Sequence, residues 1–286
     1  MNHFETRRPV IVGVNRSEAS RSAVSWAADE AAWRHLPLRL VHAQEWPTGQ
    51  QEETGRPWEI GLRSAGETLL DSARLAAVER RPGLEVTPVL AEGRPVRVLR
   101  KAADEAAQLV LGIRRLTEAH SALPIGSKGA SLAGHLKCPL VLVPEPADGS
   151  SAPGPVVLGV DGSDASRGAI DFAFEEASIS GTEVLAVEVQ RPTGMDRSYV
   201  VETTLLDLSE SLAGWQAKYP DVRVRREVLI GAPASELAAA SAHARCLVVG
   251  SRGHGGFRGL LFGSTGRALV HRCTVPLVIV PSGAPT

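Results

Sequence analysis

The chain contains one pattern twice. Pro9-Val10-Ile11-Val12-Gly13-Val14-Asn15-Arg16-Ser17-Glu18-Ala19-Ser20-Arg21 returns as Pro155-Val156-Val157-Leu158-Gly159-Val160-Asp161-Gly162-Ser163-Asp164-Ala165-Ser166-Arg167, a shift of 146 residues. Glu92-Gly93-Arg94-Pro95 pairs with Ile230-Gly231-Ala232-Pro233, and Leu109-Val110-Leu111-Gly112 with Leu247-Val248-Val249-Gly250, both at a shift of 138. Pro139-Leu140-Val141-Leu142-Val143-Pro144 matches Pro276-Leu277-Val278-Ile279-Val280-Pro281 at 137. A period this long describes a duplicated domain, not a solenoid unit. The 286 residues then divide into two domains, 1–146 and 154–286, each long enough to bury its own core. Pro144 to Pro155, rich in Pro, Gly, Ser and Asp, reads as the linker.

Short, β-rich, continuously apolar runs alternate with helical periodicity in both halves, the signature of a parallel sheet covered on both faces. In the second half the strands are Val156–Val160, Thr182–Val189, Arg223–Leu229, Cys246–Gly250 and Pro276–Val280. The first helix carries an apolar stripe of Ala169, Phe172, Ala173 and Ala177 with Ser163 as its expected cap. Ser198–Tyr219, Ala232–Ala242 and Ser264–His271 read as the other helices. The first-half strands are Pro9–Val14, Leu38–His42, Glu85–Ala91, Leu109–Ile113 and Pro139–Val143, and Ala23, Trp26, Ala27 and Ala31 repeat the helical stripe. Glu45 to Pro57 has no periodicity and reads as an exposed loop. Five strands alternating with helices call for a doubly wound α/β sheet in each half.

Charge excludes some partners. A net charge of −1, from 31 basic and 32 acidic residues, gives no field for nucleic acid or an anionic membrane. No apolar run approaches the roughly 18 to 20 residues needed to span a bilayer, and Met1 to Arg8 lacks the apolar core of a signal peptide, so a soluble, cytoplasmic protein is expected. Cys138, Cys246 and Cys273 sit in or beside apolar strands without metal-ligand spacing and read as buried thiols.

One loop carries chemistry. Gly250-Ser251-Arg252-Gly253, followed after nine residues by Gly263-Ser264-Thr265, lies directly behind the apolar run Cys246-Leu247-Val248-Val249. A strand ending in glycines that feeds a helix presents backbone N–H groups where the helix dipole is positive, which suits phosphate. Gly250 and Gly253 permit positive φ and leave no Cβ between backbone and phosphate, and Gly263 lets the chain turn tightly into a hydroxyl-capped helix. With strand order 3-2-1-4-5, the crevice between strands one and four brings this loop opposite Asp161-Gly162-Ser163. Asp161 would then accept from ribose hydroxyls or hold Mg²⁺ through water, Val187 and Val189 would wall a base, and Arg252, His254 and Arg258 would reach outer phosphates or remain solvated loop charges.

On these residues the chain resembles the universal stress protein family, whose domains are flavodoxin-like or adenine nucleotide α-hydrolase-like. Its ATP-binding members carry G-x2-G-x9-G-(S/T), matched by Gly250, Gly253, Gly263 and Ser264, and an aspartate after strand one, matched by Asp161. The resemblance covers both halves. It implies ATP as the ligand, adenine contact at Val189 and phosphate contact at Ser264 and Thr265.

The first half departs from this pattern, with Asn15 for Asp161 and Arg115 for Gly253, while Gly112 and Gly126 persist across a loop one residue longer. A weakened or lost site over Asn15, Ala43, Gly112, Arg114, Arg115, Gly126 and Ser127 is favoured over a rewired one in which Arg114 and Arg115 grip phosphate by charge. The resemblance also implies that the two fifth strands pair antiparallel, covering each other's edges so that one chain imitates a dimer. Further assembly into a homodimer and a regulatory protein partner are open. The acidic pairs Asp29-Glu30, Asp104-Glu105 and Glu175-Glu176 read as solvated helix faces, and His42 as a satisfied core histidine. There is no Gly-x-x-x-x-Gly-Lys-Ser/Thr, His-Glu-x-x-His or Gly-x-Ser-x-Gly. The leading expectation is therefore a nucleotide-binding regulatory protein. The alternatives are a slow ATPase or phosphotransfer enzyme using Asp161, Mg²⁺ and Arg252, and a nucleotide-independent interaction scaffold.

Overall fold

The computed structural model describes residues 7–45, 57–114, 132, 136–145, 154–163, 166–192, 194, 196–253 and 263–282. Most of the expected loop after Glu45, most of the linker, and Arg115, Gly126, Ser127, His254 and Arg258 lie outside the described residues.

In the first half the strands are β1 (Val10–Gly13), β2 (Leu38–Gln44), β3 (Val86–Glu92), β4 (Gln108–Ile113) and β5 (Leu140–Pro144), with helices α1 (Glu18–Trp33), α2 (Pro57–Arg80) and α3 (Pro95–Ala103). The second half supplies β6 (Val156–Val160), β7 (Val184–Gln190), β8 (Val224–Ile230), β9 (Cys246–Gly250) and β10 (Leu277–Val280). Its helices are α4 (Arg167–Ser180), α5 (Arg197–Lys218), α6 (Pro233–Ala240) and α7 (Ser264–Arg272). Local chemistry sets the ends. α1 begins at Ser17, whose side chain accepts from the N–H of Ser20, α3 and α6 begin on Pro95 and Pro233, and α4 stops at Gly181 in the left-handed region at φ 66°.

All ten strands form one sheet, ordered β3-β2-β1-β4-β5-β10-β9-β6-β7-β8. Each half is parallel in the order 3-2-1-4-5, and the halves meet through antiparallel β5 and β10, with Val141 opposite Val278. The uniformly apolar strands are buried because helices cover both faces. One core joins α1, α2, α4 and α5 through residues such as Ala27, Leu70, Phe174 and Leu208, and the other joins α3, α6 and α7 through Leu99, Leu237 and Leu269. Leaving strand one by helices on one face and returning to strand four by helices on the other opens a crevice at the C-terminal ends of β6 and β9.

Beside the β5–β10 seam the expectation for the acidic pairs fails at Glu30 and Glu176, while Asp104-Glu105 is exposed as expected. Glu30 and Glu176, equivalent in the repeat, are 1% and 0% exposed. Two arginines close a ring around them. Arg34 donates from Nε to Glu30 (3.1 Å) and from Nη2 to Glu176 (2.6 Å), while Arg245 donates from Nε to Glu176 (2.7 Å) and from Nη2 to Glu30 (2.7 Å). Arg34 also meets Glu175 at 2.9 Å and lies over Phe172, and Arg245 lies 4.4 Å from the Trp33 ring centroid. Burial and the adjoining Glu176 carboxylate push Glu30 up to about 8. Against the same desolvation, Arg245 and Arg34 hold Glu176 below the usual carboxylate range.

The smaller expectations stand. The three cysteines are buried and unpaired, with burial pushing Cys138 up to about 11 and Cys273 up to about 12. His42 Nδ1 lies 2.8 Å from the Val14 carbonyl, to which it donates.

Candidate functional site

β6 and β9 are neighbours, with Val156 opposite Cys246 and Gly159 opposite Val249, so the segments following them leave the sheet side by side. Asp161 and Gly253 meet there. A Cβ on Gly253 would run into Asp161 Oδ2, so this position holds glycine because the acid occupies the space a side chain would need. Neither Gly250 nor Gly253 uses the positive φ that glycine permits. The left-handed glycine of the site is Gly162, at φ 74°, in the turn that follows Asp161.

Asp161 organises its own loop. Its Oδ1 accepts the backbone N–H of Ser163 (3.1 Å) and the hydroxyls of Ser163 (2.6 Å) and Ser166 (2.7 Å). Ser163 therefore does not cap α4 with its side chain. The cap position belongs to Ser166, which is 3% exposed and makes no side-chain cap hydrogen bond. A hydroxyl within reach of a carboxylate makes a charge-assisted hydrogen bond, stronger than one to a neutral backbone amide. Sequence reasoning missed Ser166. The signal was present, since Ser20 and Ser166 recur at the same place in the repeat and both are buried.

The glycine turn is pinned at both ends by Ser251. Its N–H donates to Val280 O (2.8 Å), its carbonyl accepts from the Gly263 N–H (3.2 Å), and its hydroxyl accepts from the Ser282 N–H (3.3 Å). Ser251 is thus a buried structural residue, and the Gly263 amide is already engaged within the turn. α7 starts with Gly263 at its cap position and no side-chain cap, in place of the expected hydroxyl. The first-turn amides, beginning at Ser264 and Thr265, have no partners within the helix. Arg252 is exposed beside them.

The expected base wall divides. Val187 is 0% exposed inside the core of α6 and α7, whereas Val189, two residues nearer the end of β7, is only partly buried. Only Val189 reaches the rim. A separate cleft of about 410 Å³ opens on the other side of the Gly162-Ser163 turn, between α4 and α5, over Ile170 and Trp215. Its described lining includes neither Gly253 nor Ser264.

In the first half, Asn15 Oδ1 accepts from the Ser17 N–H (2.8 Å), the counterpart of the Asp161 turn, and the Asn15 N–H donates to Ser20 Oγ (2.9 Å). Gly112 has a packing role. A Cβ there would strike the backbone of Ala19 and Ser20, so the first turn of α1 lies directly on β4. Ala43 and Arg114 lie at the ends of β2 and β4, Ala43 half-buried and Arg114 exposed.

Fold and site together define a tandem, doubly wound α/β protein with an acid and a glycine turn at one switch point. The family model described as "Universal stress protein family" matches residues 6–144 and 154–281. Universal stress protein Rv2005c of Mycobacterium tuberculosis is 36% identical over 294 residues, spanning 94% of this chain and 96% of the relative. Universal stress protein Rv2623 of the same organism is 34% identical over 291 residues, spanning 94% and 95%. A solved universal stress protein from Archaeoglobus fulgidus shares the fold, with a TM-score of 0.75 at 18% identity over 98% of this chain and 100% of that one. This chain belongs to the universal stress protein family.

Proposed function

We propose that the second domain binds an adenine nucleotide, ATP in the first instance, and that the protein acts as a nucleotide-dependent regulator and not as a dedicated enzyme. The observation that carries this reading is the contact between Gly253 and the Asp161 carboxylate at the end of β6, which brings the acid and the glycine turn of the ATP-binding pattern to one place. The adenosine lies against Val189, with its ribose near Asp161. The phosphates lie along the turn, towards the first-turn amides and hydroxyls of Ser264 and Thr265, with Arg252 at the edge.

The residues fit Mg²⁺ only as an ion brought by the phosphates. Among the described residues no three His, Cys, Asp or Glu side chains cluster as a metal site. Asp161 Oδ1 already accepts three donors, so Asp161 contributes at most one water-mediated contact, through Oδ2. The same saturation argues against Asp161 as a base that activates water. In the first domain Asn15 brings no negative charge, and that half serves as the partner surface of the other.

Calorimetric titration of the nucleotide-stripped full-length chain with ATP and Mg²⁺ tests the reading. One site per chain, weakened by Asp161→Asn, is expected. Absence of binding by ATP, ADP and AMP alike defeats it.

A further inference from the structure

The geometry assigns to the ring of Glu30, Arg34, Glu176 and Arg245 the task of setting the register in which the two domains pair. The strands at the seam do not set it themselves. Leu140-Val141-Leu142-Val143 faces Leu277-Val278-Ile279-Val280, and only three residue pairs are in register, Leu142 with Leu277, Val141 with Val278 and Leu140 with Ile279. Sliding one strand by two residues keeps every side chain on its own face and still sets aliphatic against aliphatic. Side-chain period therefore cannot distinguish the two registers.

The ring does distinguish them. A slip of two residues moves one domain by ~7 Å along the seam. The cross-domain bonds of Arg34 to Glu176 and Glu175 and of Arg245 to Glu30 are 2.6 to 2.9 Å long, so none survives the slip. Both arginines also lose the aromatic face on which they lie, Phe172 for Arg34 and Trp33 for Arg245. The slipped register would keep buried charged groups with half of their partners gone, a strongly unfavourable state.

The ring is symmetric although the sequence behind it is not. Each arginine uses Nε for the glutamate of its own domain and Nη2 for the glutamate of the other. The glutamates are repeat equivalents, but Arg34 ends α1 and Arg245 precedes β9, and their equivalents in the opposite half are Ser180 and Ala107. The two halves reach one pseudo-twofold arrangement of charge from different positions. Buried ion pairs add little net stability over apolar replacements, and specifying register is their best attested use.

The test is read in the full-length, deuterated chain from amide-to-amide contacts across β5 and β10 by nuclear Overhauser spectroscopy, without nucleotide, so its outcome is separate from that of ATP binding. The native chain should show only the pairing of Leu142 with Leu277 and its neighbours. The variant Glu30→Leu/Arg34→Met/Glu176→Leu/Arg245→Met should stay folded and show a second set of contacts shifted by two residues. If that variant does not fold, Glu30→Leu/Arg34→Met decides, because it opens the ring while leaving Glu176 and Arg245 paired within their own domain. Glu30→Gln, which keeps the side-chain shape and one acceptor oxygen for the arginines, should keep the single register. A folded ring-free variant with native contacts alone overturns the assignment.

Discussion

The end of β1 and the end of β6 are one loop built twice, with its serines used in opposite ways. After β1, Ser17 caps α1 and Ser20 accepts the Asn15 N–H. After β6, Ser163 and Ser166 both turn their hydroxyls to Asp161, and α4 is left without a side-chain cap. Exchanging one amide side chain for a carboxylate redirects the donors around it. A cap contributes about 1 kcal/mol and a hydrogen bond to a charged group about 1.5–3 kcal/mol, so the carboxylate wins. A charge held by its own loop, opposite a residue without a side chain, is what the second half has and the first lacks.

The comparison breaks most completely where the halves lose each other. Arg245→Met leaves Glu176 and Glu30 without one guanidinium in a buried setting and should cost about 3–5 kcal/mol in urea unfolding of the full chain. An unchanged midpoint would remove the ring from any account of domain pairing.

The next effect is set by pH. Glu30 rises from 4.5 to about 8 on folding. The folded state therefore holds a proton that the unfolded state releases, and the stability this provides is complete below pH 4.5 and lost as pH rises through about 8. The slope approaches ~1.4 kcal/mol per pH unit within that window. Glu30→Gln, neutral at every pH, should flatten the difference between urea midpoints at pH 6 and pH 8.

Alanine at the two glycines separates packing from binding. Gly112→Ala drives a methyl into the α1 backbone and should destabilise by about 1–3 kcal/mol without touching the proposed nucleotide site. Gly253→Ala presses on the Asp161 carboxylate and should lower ATP affinity by about tenfold or more while moving the unfolding midpoint less. Equal behaviour of the two variants in both assays would erase the distinction between the halves.

The smallest change sharpens the comparison most. Asp161→Asn makes the second loop resemble the first and should weaken ATP by about tenfold, ~1.4 kcal/mol, in calorimetry. The reverse change, Asn15→Asp, should create no site, because Arg115 still stands where the second half has Gly253.

Much of this was legible in the chain itself. The repeat, the alternation of apolar runs and helical stripes, and the placing of Asp161 opposite the glycine turn all follow from periodicity and topology, since a doubly wound sheet offers one switch point per half. The unread parts are choices among partners. Ser163 was expected on a helix end and bonds a carboxylate, Ser251 was expected at the ligand and pins the turn, and Glu30 and Glu176 were expected in water and lie under two arginines. Helical spacing shows which face a glutamate takes, but not what covers that face.

Sequence alone thus determined the architecture, because apolar spacing is a local property that each strand and helix carries without reference to the rest. Tertiary structure decided where the polar atoms spend their hydrogen bonds. Glu30 meets an arginine 215 positions away, and Gly253 an aspartate that follows a different strand, contacts that exist only once two cores have closed and desolvation has made every unpaired charge costly.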